Sequence, residues 1–184
     1  MRIAVTGSHR VGKSTLIDLL GEQLEGYRLV EEPYLLLEED GYAFASPPSL
    51  EDFVEQLRFS AELLHDEKDS RDTLFDRCPV DFLGYLQAHE DAEAFDLEEW
   101  LPRVRSAVQT LDLIVFVPVE EPDRIRLRAR EDLHMRTAVD EALSGLLNDD
   151  PHAWGVEVLA VQGSTNARVK QVLERLGRGT SSVA

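Results

Sequence analysis

A single cysteine, Cys78, stands in a chain of 184 residues, so no internal disulfide can form and no Cys/His cluster points to zinc. No apolar run approaches the ~20 residues that a bilayer crossing requires. The beginning of the chain also lacks the apolar core of a secretory leader, because Gly7, His9, Arg10 and Lys13 interrupt it. Basic residues are scarce: 19 Lys and Arg against 36 Asp and Glu give a net charge of −17. That balance works against non-specific attraction to nucleic acid or anionic membranes. No internal repeat and no low-complexity linker divides the sequence. These absences predict one soluble, cytoplasmic domain with no membrane partner and nucleic acid disfavoured; a homodimer stays open.

What the sequence does have is concentrated near its start. "TGSHRVGKST" fits G-x-x-x-x-G-K-[ST], with Gly7, Gly12, Lys13 and Ser14 at the fixed positions. The glycines allow a tight path that turns successive N–H groups of Ser8, His9, Arg10 and Val11 inward as an anion nest. A helix starting near Lys13 adds the donors and partial positive charge of its N-terminus, with Thr15 in its first turn. Lys13 is expected on the β- and γ-phosphates of a nucleotide, and the Ser14 hydroxyl on Mg²⁺. A Gly-bounded turn with no ligand would need no such context. Here a strand-like "MRIAVT" precedes the loop, and Leu16, Leu19, Leu20 and Leu24 follow it at helical spacing.

Strand-like runs recur at "RIAVT", "YRLVEE", "DTLFD", "DLIVFVPV" and "VEVLAVQG". Helical patterns alternate with them, at Ser14 to Leu24, Leu50 to Lys68, Asp96 to Thr110, Thr137 to Leu147 and Asn166 to Leu176. Ser49 with Asp52 reads as a capping box for the second of these helices. The alternation predicts an α/β three-layer sandwich, with about five parallel strands and helices on both faces. Residues 1–177 form its single domain, and 178–184 a flexible tail.

In such a sheet, ligands bind beyond the carboxyl ends of the strands. Glu31, Glu32 and Pro33 follow the second strand, and Asp76 and Arg77 end the third. Asp76 closes a Walker-B-like run and is the candidate for holding Mg²⁺ waters. "RIRLRAR" (124 to 130) gathers four arginines in an acidic chain, which suggests a local anion. The plain alternative is a solvated helix face paired with nearby acids. Arg136 is a further candidate.

Together the phosphate loop, "EEP", "DR" and "RLRAR" resemble the P-loop nucleoside and nucleotide kinase superfamily. The closest likenesses are deoxynucleoside kinases and the ribosylnicotinamide-kinase type of ATPase domain. The resemblance implies ATP-dependent phosphoryl transfer to a small acceptor: a nucleoside, nucleotide or related riboside. It implies Glu32 as the base, Asp76-Arg77 near metal and acceptor, and Arg128 and Arg130 on a lid over about 120–137. The chain departs from the deoxynucleoside kinases where Leu35, Leu36 and Leu37 follow Tyr34, since the family has an aromatic there. Gln56 matches the family's base-reading glutamine, although a lone glutamine on a helix ordinarily faces solvent. A nucleotide-switched regulatory ATPase with a protein partner is the alternative. No N-K-x-D follows the fourth strand, which disfavours a Ras-like GTPase.

Overall fold

The computed structural model describes residues 1–121, 123 and 133–178. Five strands form one parallel sheet: β1 (Arg2–Thr6), β2 (Arg28–Val30), β3 (Thr73–Asp76), β4 (Leu113–Phe116) and β5 (Glu157–Ala160). Their order is β2-β3-β1-β4-β5, with Ile3 of β1 opposite both Leu74 and Leu113. β1 is therefore central, and the loop that leaves it opens at the middle of the sheet's carboxyl edge.

Alternation along the strands divides the core in two. Ile3 and Val5 pack on α1 (Lys13–Gln23) and α7 (Thr165–Arg175), together with Leu16, Leu20 and Val172. Ala4, Phe75 and Ile114 face the other layer. That layer is built from α3 (Leu50–Asp66), α4 (Pro79–Ala88), α5 (Leu97–Val108) and α6 (Leu133–Asn148). The expected three-layer α/β architecture is thus the one observed.

Two helices were not anticipated from the sequence, and a third, α6, differs in its bounds. α4 was not anticipated because it is buried on every side: Pro79 to Leu86 are buried without exception, Asp81 included, so no amphipathic stripe exists to read. It lies so close to α6 that a Cβ on Gly84 would sit 2.9 Å from the Leu143 side chain. The short α2 (Pro33–Glu39) begins with Pro33 at its first position, where proline's missing N–H costs nothing. α6 starts four residues earlier than the Thr137 expected. The capping box of α3 is present, with Ser49 Oγ accepting from Asp52 N and Asp52 Oδ2 from Ser49 N.

Candidate active site

The loop from Gly7 to Thr15 joins β1 to α1. Gly7 is obligatory on steric grounds, because a Cβ there would stand 2.5 Å from the Val117 carbonyl oxygen. Gly7→Ala should therefore push the loop off β4 and weaken nucleotide binding. Calorimetry with ATP tests this, and native affinity in the alanine variant would contradict the steric account. Gly12 caps α1 in the left-handed region, at φ 91°, where glycine carries no Cβ penalty. Ser14 and Thr15 are exposed at the loop's mouth.

Lys13 is buried, and its Nζ donates to the Ser8 carbonyl at 2.7 Å. Burial, and next the nearby Arg77, bring its pKa down to about 7. Asp76 shows the opposite displacement, pushed up to about 6 chiefly by burial. Its Oδ1 is buried with no hydrogen-bond partner, as is Ser8 Oγ. An unsatisfied buried acceptor is costly, so both atoms suit a site completed by something added to it. Among the described residues, no group of three His, Cys, Asp or Glu forms a metal cage. Mg²⁺ needs none, since it takes one or two protein ligands and fills its shell with water and phosphate oxygens.

Arg77 organises the floor of the site. Its backbone is left-handed, at φ 77°, an uncommon conformation for a residue with a side chain. The guanidinium donates to Glu32 Oε2 at 2.9 Å, to the Gly7 carbonyl at 3.0 Å and to Asp81 Oδ1 at 3.1 Å. It also lies over the Tyr85 ring, 5.4 Å from the centroid. Asp81 is fully buried and takes the Gly7 and Cys78 N–H groups as well. Sequence reasoning missed Asp81, although its i+4 spacing from Arg77 at the start of a helix was a usable signal.

Glu32 occupies the N-cap position of α2 but makes no side-chain cap bond. The strand-like run "YRLVEE" would carry Glu31 and Glu32 on opposite faces of a strand, but β2 ends at Val30, so strand alternation does not separate them. The separation comes from α2 instead: Glu31 is exposed, whereas Glu32 is half-buried against Arg77.

Two cavities meet here. One, of about 370 Å³, is lined by Gly12, Lys13, Ser14 and Thr15, with His9, Arg10, Glu32 and Arg77. The other, of about 340 Å³, is lined by Tyr34, Phe53, Gln56, Phe82, Tyr85 and Met135, with Pro47, Pro48 and again His9, Glu32 and Arg77. Phe53 and Tyr85 stack at 5.0 Å, giving the second cavity an aromatic wall. Gln56 is buried in its lining, with Nε2 donating to the Asp52 carbonyl, so of the two readings left open for it the solvent-facing one does not hold.

Arg136 does not join the cavity lining. Its guanidinium is buried against the loop carbonyls of His9 and Arg10 and pairs with Asp123. Arg168, which sequence reasoning missed, binds the Val11 carbonyl and Glu120. Arg128 and Arg130 lie outside the described residues. Cys78 is buried, with burial pushing its thiol up to about 12, so it is inert.

A family model described as an AAA domain matches residues 2–168. No curated protein matches the chain in sequence. Among solved structures, deoxyadenosine kinase from M. mycoides with bound dATP is 15% identical, with a TM-score of 0.69. That match covers 96% of this chain and all of the kinase. Thymidylate kinase from Candida albicans is 17% identical, covering 96% of this chain and 90% of that one, with a TM-score of 0.61. The NadR protein in complex with NAD and AMP-PNP gives 17% identity and a TM-score of 0.70. There the whole of this chain matches 51% of the NadR chain. At these identities the likeness is one of fold: a P-loop nucleoside-kinase-like fold.

Proposed function

The chain belongs to the AAA domain family, and from that premise we propose that it transfers a phosphoryl group from ATP to a small hydroxyl-bearing acceptor, a nucleoside, nucleotide or related riboside. One observation carries this reading. A polar cavity on the phosphate loop and an aromatic cavity beside it share His9, Glu32 and Arg77. A regulatory ATPase needs only the first chamber. A transferase needs two, joined where the groups react.

Phosphoryl transfer asks the protein mainly for position and charge. In this reading Lys13 and the loop amides hold the β- and γ-phosphates. The acceptor ring rests in the aromatic chamber, near Gln56, with its hydroxyl toward Glu32. The Glu32 carboxylate accepts the hydroxyl proton as the oxygen attacks the γ-phosphorus and the bond to the leaving ADP oxygen breaks. Arg77, itself held by Asp81, orients Glu32 and supplies positive charge at the junction. Arg128 and Arg130 keep their assignment to the transferred phosphoryl group on sequence alone. The same reading takes residues 1–177 as one domain.

Ser14 and Asp76 fit Mg²⁺, the serine through its exposed hydroxyl and the aspartate through bound waters. When present, Mg²⁺ neutralises charge on the phosphate oxygens. Asp76→Asn should raise the Mg²⁺ concentration for half-maximal transfer by about tenfold, as loss of an outer-shell partner commonly does. A Mg²⁺ titration of initial rates measures it, and an unshifted curve removes Asp76 from the metal's surroundings. The function itself is tested by offering nucleosides, nucleotides and ribosides with ATP and following ADP and phosphorylated product. ATP turnover that no acceptor accelerates would favour the regulatory ATPase.

A further inference from the structure

The phosphate loop is held from behind by two buried arginines. Arg136 of α6 donates from Nε to the His9 carbonyl at 3.2 Å and from Nη2 to the Arg10 carbonyl at 3.3 Å. Arg168 of α7 donates from Nη1 to the Val11 carbonyl at 2.6 Å. Their exposures are 3% and 6%, so neither guanidinium is a surface charge that happens to lie near the loop. Each is itself oriented by a carboxylate. Asp123 accepts from Arg136 Nη1 at 2.7 Å, and Glu120 accepts from Arg168 Nη2 at 2.8 Å. Glu120 also takes the Gly163 N–H at 2.8 Å, which ties this clasp to the loop between β5 and α7.

Peptide geometry turns this clasp into a statement about function. In a planar trans peptide, the C=O and the following N–H point in opposite directions. Fixing the carbonyls of His9, Arg10 and Val11 on the arginines therefore turns the N–H groups of Arg10, Val11 and Gly12 the other way. Lys13 Nζ holds the Ser8 carbonyl in its own direction, so the peptide sense changes between Ser8 and His9. The left-handed backbone at Arg10 (φ 55°) and Gly12 (φ 91°) supplies the alternation that makes successive amides converge into a nest.

From this geometry we infer that Arg136 and Arg168 are positioning residues for the donor phosphates: by holding three loop carbonyls they aim the loop's amides into the site. The inference rests on the reading that this loop binds a polyphosphate. Neither arginine has to touch the nucleotide. A purely structural pair would behave differently, because a buried ion pair is weak evidence even for stability, and its loss would act on the fold without regard to ligand.

The test uses the full chain with Arg168→Leu and Arg168→Lys, melting each by circular dichroism. Calorimetry then measures binding of ATP and of inorganic triphosphate, both with Mg²⁺. Folded Arg168→Leu should bind both ligands about 10- to 100-fold more weakly, by similar factors, since a hydrogen bond to a charged donor is lost behind the loop. Arg168→Lys should recover part of that loss, because one ammonium reaches Val11 or Glu120 but does not reproduce the fork. Native affinity for both ligands in the folded variants overturns the inference. So does a loss for ATP with none for triphosphate, which would place Arg168 in the service of the nucleobase through Glu120 and Gly163. If Arg168→Leu fails to fold, Glu120→Gln carries the test: it releases Arg168 without removing it and should weaken triphosphate binding by less, and unchanged binding overturns the inference. Absence of ATP and triphosphate binding in the native chain overturns the loop reading as well. Native binding without any acceptor phosphorylation overturns only the transferase reading.

Discussion

Lys13→Ala lowers acceptor phosphorylation by about 10²- to 10³-fold, the range seen when one preorganised donor to developing charge is removed. The expectation follows from where the ammonium sits. It is buried behind Gly12, donates to the Ser8 carbonyl, and lines the cavity that the loop encloses. No other lysine lines that cavity, and Arg77 is engaged by Glu32, Asp81 and the Gly7 carbonyl. A side effect distinguishes this variant from a merely unfolded one. The folded-state pKa is lowered from 10.5 to about 7, so the native fold disfavours the charged lysine. That handicap is absent above the unfolded value, grows as pH falls below it, and is complete below about 7. Stability of Lys13→Ala relative to the native chain should therefore improve as pH is lowered from about 10 to about 7. Melting curves across that range measure it, alongside initial rates. Unchanged rates in Lys13→Ala would remove the phosphate-loop assignment.

The parts of this molecule that were legible in the sequence are those whose physics is local. Gly7, Gly12, Lys13 and Ser14 are bound to their spacing by the path of one loop, so the loop could be read directly. The five strands announced themselves as short apolar runs, and α3 by its capping box and amphipathic spacing. α4 was illegible for the opposite reason: burial on all sides erases the periodicity that reveals a helix. Glu32 and Arg77 were named separately, but their salt bridge spans 45 positions and depends on β2 lying beside β3. Arg168 was missed because its partner, the Val11 carbonyl, is 157 positions away and has no side-chain signature. Gln56 stayed open between a base reader and a solvent-facing residue, because only tertiary packing tells an inward glutamine from an outward one.

The second large effect concerns Glu32. A general base has to reach the acceptor hydroxyl, and Glu32 is the carboxylate that lines both chambers. Pro33 fixes the backbone just after it, and Arg77 holds Oε2 at 2.9 Å, leaving the other oxygen for the substrate. Glu32→Gln keeps the shape and an acceptor for Arg77 but removes the proton-accepting charge. Its effect on acceptor phosphorylation should be about 10²- to 10⁴-fold, the usual worth of general-base help. Glu31→Gln, at an exposed position outside both cavities, should have little effect.

The most direct measurement is ADP formation with and without acceptor, in the native chain and in Glu32→Gln, with ATP affinity determined for both. The account predicts that an acceptor strongly accelerates ADP formation by the native chain. It predicts that this acceleration disappears in Glu32→Gln while ATP binds as before. Acceleration that survives the substitution, or native turnover that no nucleoside, nucleotide or riboside accelerates, would contradict it.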